Sequence, residues 1–336
     1  MKKIKIGIIG AGRIGKVHTD SITFNIPGAE VKTIVDKFMN TEIKEWAASR
    51  GILNTSDNPK DIFDDSEIDA VLICSTTDTH AQFTREAAEA GKHIFCEKPV
   101  DTDIDRIKET LKIVEKAGVK FQIGFNRRFD HNFRALKDAA AAGKIGDTHM
   151  IKITSRDPEP PNPAYIKDSG GMFVDMTIHD FDMARYLSGS EVEEIFVQGA
   201  VLVDPEIGKQ GDIDTAIITM KFANGAIGSI DNSRKAAYGY DQRAEIFGSK
   251  GAVHSRNDSR STIVLSNDEG VTEEKPLFFF LERYMASFTQ EMKEFFEAIE
   301  TDGEVPVGAI DAIRPVQIAE AALESLKSGQ LVKIQY

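Results

Sequence analysis

Cysteine is scarce in this chain of 336 residues: Cys74 and Cys96 are the two present. Each closes an apolar run, so two buried, reduced thiols are expected; a disulfide framework would need more cysteines and an oxidising compartment. Positive charge is also in deficit. The formal net charge is −13 and the pI near 5.1, which argues against a phosphate-backbone partner and leaves a nucleic-acid role without support. No apolar run is long enough to span a bilayer, so no membrane partner is expected. Met1-Lys2-Lys3 leads straight into a strand pattern, without the apolar core of a secretory leader. Internal repeats and low-complexity tracts are missing too. What remains is 41% hydrophobic and 28% charged, ordinary for a globular protein, and a cytoplasmic location is expected. The length exceeds what one core usually spans, so two domains are expected.

The first part alternates strand and helix patterns. Ile4 to Ile9 is a β-rich run that enters Gly10-Ala11-Gly12-Arg13-Ile14-Gly15, followed by a helical pattern to about Asn25. Glycines at this spacing allow a tight turn, close approach of the backbone to a pyrophosphate, and close helix–strand packing. The helix N-terminus, with Arg13 and Ile14, then offers free N–H groups to phosphates. Val31 to Val35 is a second strand, and Asp36 ends it, 21 residues after Gly15. An acid there accepts hydrogen bonds from both ribose hydroxyls and repels a 2′-phosphate, which selects NAD over NADP, although Lys37 next door would tolerate a phosphate. The alternative, a glycine turn in an ordinary α/β unit, does not account for the acid.

Ala70 to Cys74 is a buried strand, followed by Ser75-Thr76-Thr77-Asp78-Thr79-His80 and a helix from about Ala81 to Ala90. Ser75, Thr76, Thr79 and His80 would face the cofactor's ribose and phosphates; for Thr79 and His80, plain helix capping explains the residues equally well. His93 to Cys96 is the next strand, and Glu97-Lys98-Pro99 follows at its carboxyl end, where Glu97 would also meet the cofactor. A lysine there can reach a reacting carbon, but lysine is common and mostly exposed, so its type alone assigns no role. A helix from about Asp103 to Lys116 and a strand from Val119 to Gly124 complete this part.

Beyond Gly124 the pattern changes. His149 to Thr154, Glu194 to Val203, Thr215 to Phe222, Ala226 to Ser233 and Arg243 to Phe247 are strand-like, with Ala223-Asn224-Gly225 a clear hairpin turn. We therefore expect an α/β protein: a Rossmann domain over 1–124 and an α+β domain over 125–336 with a large, mostly antiparallel, open-faced sheet. Arg127 and Arg128 would bind a ligand or pair with acids such as Asp130. The segment from Arg156 to Tyr165 carries four prolines and should form a stiff loop of the kind that covers sites. From Met172 to about Leu187 the pattern predicts one helix. Asp175 and His179, four apart, would then share a face, and a buried Asp–His pair is costly unless it is satisfied. A structural hydrogen-bonded pair remains open, since Asp180, Asp182 and Arg185 lie nearby. A metal site does not fit, for want of a cysteine or second histidine at close spacing. Helices from about Ala286 to Glu300 and Gly308 to Leu326, and an edge strand at Lys333-Ile334, close the chain.

Taken together, the glycine turn, Glu97-Lys98-Pro99 and Asp175-x-x-x-His179 resemble the glucose–fructose oxidoreductase/inositol dehydrogenase family over nearly the whole chain. Within it, Gly124-Phe125-Asn126-Arg127-Arg128-Phe129-Asp130, Ser155-Arg156-Asp157-Pro158 and Asp231-Asn232-Ser233-Arg234-Lys235 running into Tyr238-Gly239-Tyr240-Asp241 look most like inositol 2-dehydrogenases. The resemblance implies NAD-dependent oxidation of a cyclic polyol, with Lys98, Asp175 and His179 as the catalytic group and Arg127, Asp157 and Tyr238 as further substrate contacts. It also implies a homotetramer joined through the open face of the sheet. Histidine suits the role of proton acceptor, because its unperturbed pKa lies near working pH. Two other functions compete: a dehydrogenase of another inositol isomer or of a pyranose sugar, and a non-catalytic NAD-binding sensor, which would have no need of a proton acceptor.

Overall fold

The computed structural model describes residues 3–166 and 169–336; Met1 and Lys2, which opened the leader argument, lie outside the described residues. The first unit begins with β1 (Ile4–Ile9), α1 (Arg13–Asn25), β2 (Ala29–Val35), α2 (Thr41–Ala48), β3 (Asn54–Ser56), α3 (Lys60–Phe63), β4 (Ala70–Ile73), α4 (Thr77–Glu89), β5 (His93–Glu97), α5 (Ile104–Ala117) and β6 (Phe121–Gly124). The strands form one parallel sheet in the order β3-β2-β1-β4-β5-β6. β4 and β6 are buried at every position, as a sheet covered by helices on both faces requires. The order reverses between β1 and β4, and an open sheet of this kind takes its ligand beyond the strand ends at that point.

The second unit continues with α6 (His131–Ala141), β7 (Thr148–Arg156), α7 (Pro163–Ile166), α8 (Met172–Asp175), α9 (Ile178–Ser188), β8 (Val192–Ala200), α10 (Pro205–Lys209), β9 (Thr215–Phe222), β10 (Ile227–Ser233), β11 (Asp241–Gly248), β12 (Gly251–His254), β13 (Val264–Asn267), β14 (Gly270–Glu273) and α11 (Phe280–Arg283). The chain then runs through α12 (Met285–Glu300), α13 (Ala309–Ser328) and β15 (Val332–Lys333). The large sheet runs β12-β11-β7-β10-β9-β8-β15. It is antiparallel throughout except for the parallel β7–β10 pair, and β15 is the expected edge strand. Burial alternates along β9, β10 and β11. One face carries the core, and the other exposes Ile217, Ile227 and Phe247.

The single domain boundary expected at 124/125 needs correction. The compact units are Met1–Asn126 with Met285–Arg314, and Arg127–Tyr284 with Pro315–Tyr336. The reason is the apolar face of α12: Met292, Phe295 and Phe296 join Ile6, Ile8, Ile22 and Phe95 in the core of the first unit. The Ile123 N–H also donates to the Val307 carbonyl at 3.0 Å, so the chain returns to the edge of the parallel sheet.

Candidate active site

The glycines of the first turn differ in what they tolerate. Gly10 has φ +105°, and a Cβ there would lie 2.5 Å from the Cys74 carbonyl oxygen. At Gly15 a Cβ would lie 1.9 Å from the Gly10 oxygen. Gly12 is the opposite case, with nothing within 4 Å of where its Cβ would be. Gly12 is also the N-cap of α1, whose first turn receives no side-chain cap. The backbone N–H groups at this end, beside exposed Arg13 and half-buried Ile14, therefore lie behind an open approach suited to a pyrophosphate. Asp36 accepts from the Ala11 N–H at 2.7 Å and the Phe38 N–H at 2.8 Å, which ties the glycine turn to the end of β2. This arrangement of open glycine, uncapped helix and acid fits a dinucleotide.

At the end of β4, α4 begins at Thr77, four residues earlier than expected, with Thr76 as its N-cap. Thr79 Oγ1 lies 2.7 Å from Ser75 Oγ and donates to the Thr76 carbonyl at 2.7 Å. His80 is not a helix cap. Its buried ring places Nδ1 2.8 Å from the Pro99 carbonyl and Nε2 3.0 Å from the Ser75 carbonyl, so it ties the end of β4 to the turn after Lys98. Glu97 is taken on its inner side by His18 Nε2 at 2.7 Å. Half-buried Lys98 follows at the carboxyl end of β5.

In the second unit the helix predicted from Met172 to Leu187 is broken between Asp175 and His179. Asp175 closes α8, and His179 is the second residue of α9. The Thr177 N–H reaches back to the Met172 carbonyl at 2.9 Å, and the Thr177 hydroxyl donates to Asn232 at 2.7 Å. That buried side-chain bond competes with continuing the helix, while Met176 and Thr177 keep right-handed helical backbone angles. The Asp175 carboxylate is gripped from two sides: Tyr165 donates to Oδ1 at 2.9 Å and Arg234 to Oδ2 at 3.1 Å. Tyr165 belongs to the proline-rich segment, which thus reaches Asp175.

Arg127 is buried and commits to Asp180 at 2.5 Å and to Ser155 at 3.5 Å, over the Tyr284 ring. Its ion-pair partner is Asp180 and not Asp130. Asp130 caps α6 and pairs with Arg283. Arg128 forms a two-pronged pair with Asp182 at 2.8 and 2.6 Å. Asp157 exchanges backbone bonds with Ser233 and Ala236. Burial pushes its carboxyl up to about 7 against the pull of Arg234 and Arg127, with Asp175 and Asp180 adding to the rise. Tyr238 is not brought to this cluster. Its hydroxyl donates to Asp241 at 2.5 Å and accepts from Arg156 at 3.0 Å, and Arg156 pairs with Asp231. Arg156 and Asp231 lie on the open face of the sheet, whereas Ser155 and Asn232, which face Asp180, lie on the buried one.

Arg234 was not singled out from sequence, though a signal existed. Buried positions in β10 fall at Gly228, Ile230 and Asn232, and the same parity carries Arg234 inward. Among the described residues no group of three or more His, Cys, Asp or Glu could hold a metal ion.

Residues 4–125 match the family model for the oxidoreductase family with an NAD-binding Rossmann fold, and residues 133–254 match the GFO/IDH/MocA C-terminal domain. An uncharacterized oxidoreductase of Bacillus subtilis is 51% identical, covering 100% of this chain and 98% of the relative. A myo-inositol 2-dehydrogenase of Thermotoga maritima is 44% identical, covering 99% of each chain. Among solved structures, scyllo-inositol dehydrogenase from Lactobacillus casei with bound NAD(H) and scyllo-inositol is 31% identical, with a TM-score of 0.91 and 99% of each chain covered.

Proposed function

Because this chain belongs to the GFO/IDH/MocA oxidoreductase family with an NAD-binding Rossmann domain, we propose that it oxidises a ring hydroxyl of a cyclic polyol with NAD. The substrate we assign is myo-inositol, converted to its 2-keto form (scyllo-inosose). The observation that carries this function is the coexistence, in one chain, of an open cradle with Asp36 and a polar cluster of Asp175, Arg234 and Tyr165.

Bound NAD supplies the hydride acceptor. His179 takes the proton of the substrate hydroxyl. Asp175, itself fixed by Arg234 and Tyr165, favours the imidazolium that forms. Lys98 donates to the reacting oxygen and stabilises its developing alkoxide character. Asp157, which carries no side-chain bond to Arg127 or Asp180 in the way those two are bonded to each other, is the better candidate of the second unit for pairing a ring hydroxyl. A site that hydrogen-bonds each hydroxyl punishes a missing or inverted one. We further propose a cytoplasmic homotetramer joined through the open sheet face, supported by the exposure of Ile217 (51%), Ile227 (51%) and Phe247 (46%) on that face.

The test is initial-rate NADH formation at alkaline pH with myo-, scyllo- and D-chiro-inositol, D-glucose and D-xylose, each with NAD and with NADP. Turnover of myo-inositol with NAD and little with NADP is expected. Turnover confined to a pyranose would discard the inositol assignment, and NAD binding without any turnover would favour the sensor.

A further inference from the structure

The proposed chemistry leaves a buried acid–base cluster unused, and it lies wholly within the first unit. His18 on α1 is fully buried, with Nε2 2.7 Å from Glu97 Oε1. Its ring meets Phe95 and Phe288 edge-on, at centroid distances of 5.1 and 5.6 Å, so packing fixes its orientation. The other Glu97 oxygen faces Gly124, where a Cβ would come within 3.0 Å, so the carboxylate has little room to turn away. Glu291 on α12 is also fully buried, and neither of its carboxyl oxygens has a hydrogen-bond partner. Burial, then the charges of Glu97 and Glu294, push its pKa well above the usual range. Burial likewise raises the Cys74 and Cys96 thiols. The 2.7 Å contact makes His18 the group that grips Glu97 from the inside.

Position along α1 gives this grip a consequence. The helix begins at the open glycine, and His18 lies six residues after Gly12, about 9 Å along a rigid rod. We propose that His18 is a positioning residue for the Glu97-Lys98 turn, joining the helix end that receives the cofactor's pyrophosphate to the lysine that steadies the reacting oxygen. The inference rests on the dehydrogenase function proposed above for the role of Lys98, but its structural half does not.

Four variants test it: His18→Leu, which removes the bond; His18→Gln, whose amide can still donate to Glu97; and Glu97→Leu alone and with His18→Leu. Thermal melting establishes that each is folded. His18→Leu should lower kcat on the polyol by about tenfold to a hundredfold, as a small displacement of a reacting group does. NADH affinity, followed by energy transfer from Trp46, should stay near the parent value, and His18→Gln should recover most of kcat. In the Glu97→Leu background, His18→Leu should add little.

A readout independent of turnover is competitive acetylation of Lys98, measured by mass spectrometry against exposed Lys108 and Lys112. His18→Leu should change the relative rate by more than about twofold, since lysine reactivity follows its local charge and hydrogen bonds, and His18→Gln should not. Unchanged acetylation, or fully additive kinetic effects of the two substitutions, would overturn the proposal. Altered Lys98 acetylation in a protein that oxidises no polyol would keep the grip and discard the dehydrogenase function. Should His18→Leu fail to fold, His18→Gln against His18→Asn, whose shorter amide falls short of Glu97, gives the same contrast.

Discussion

Replacing Gly12 by alanine separates the fold from the cofactor. Gly12 has φ −72° and ψ −166°, a conformation open to any L-residue, and its added Cβ would meet nothing within 4 Å. Alanine therefore costs no strain, and by restricting the unfolded chain it should raise stability by about 0.4–1 kcal/mol or leave it unchanged. The same Cβ would fill the space through which a pyrophosphate approaches the backbone, and NADH affinity should fall at least about tenfold, or about 1.4 kcal/mol. Gly15→Ala is the counterpart. Its Cβ would lie 1.9 Å from the Gly10 carbonyl oxygen, a backbone atom that cannot swing aside, so this variant should lose about 3 kcal/mol or more. Thermal unfolding followed by far-UV circular dichroism measures the first effect. Energy transfer to NADH from Trp46, the single tryptophan of the chain, measures the second. A Gly12→Ala protein that binds NADH within about twofold of the parent, or that melts as low as Gly15→Ala, would refute the assignment of this turn as a pyrophosphate cradle.

Other expected outcomes follow from the same structure. His179→Ala should lower kcat about 100-fold or more at unchanged NADH affinity; near-normal turnover in an initial-rate assay would remove it as the proton acceptor. Arg234→Met should cost about 1–3 kcal/mol in urea unfolding, because it leaves the half-buried carboxylates of Asp175 and Asp212 without their guanidinium. Asp157 has its folded pKa raised from 3.8 to about 7, so its contribution to stability is complete below the lower value and is lost as pH rises to the higher one. Asp157→Asn should therefore gain in melting temperature relative to the parent between those limits and level off above about pH 7; a difference independent of pH would contradict the raised pKa. Ile227→Asp should shift the sedimentation profile from tetramer to smaller species if the open face joins the subunits.

The parallel sheet and its glycine turn were legible because their determinants are local: apolar runs, three glycines at fixed spacing, and an acid at the end of the second strand. The open sheet was legible for the same reason, through alternation and the Asn224-Gly225 turn. The return of α12 to the first unit was not, because a helix with one apolar face does not say which core it serves. The break between Asp175 and Met176-Thr177 was hidden as well: residues 172–187 keep a helical pattern, and the Thr177–Asn232 bond that helps interrupt it joins positions 55 apart. Arg127 and Tyr238 show the same limit. Sequence does not pair them with Asp180 and Asp241; only the register of β7, β10 and β11 reveals which partner each side chain meets.

The proposed reaction moves a hydride from a ring carbon of an inositol to NAD. The most direct measurement uses myo-inositol deuterated at carbon 2, with NAD, and mass spectrometry of the reduced cofactor. One deuterium on the cofactor, together with a slower initial rate than with unlabelled substrate where hydride transfer limits turnover, is the predicted result. Reduced cofactor free of deuterium would contradict oxidation at that carbon, and no cofactor reduction with any inositol isomer would contradict the function itself.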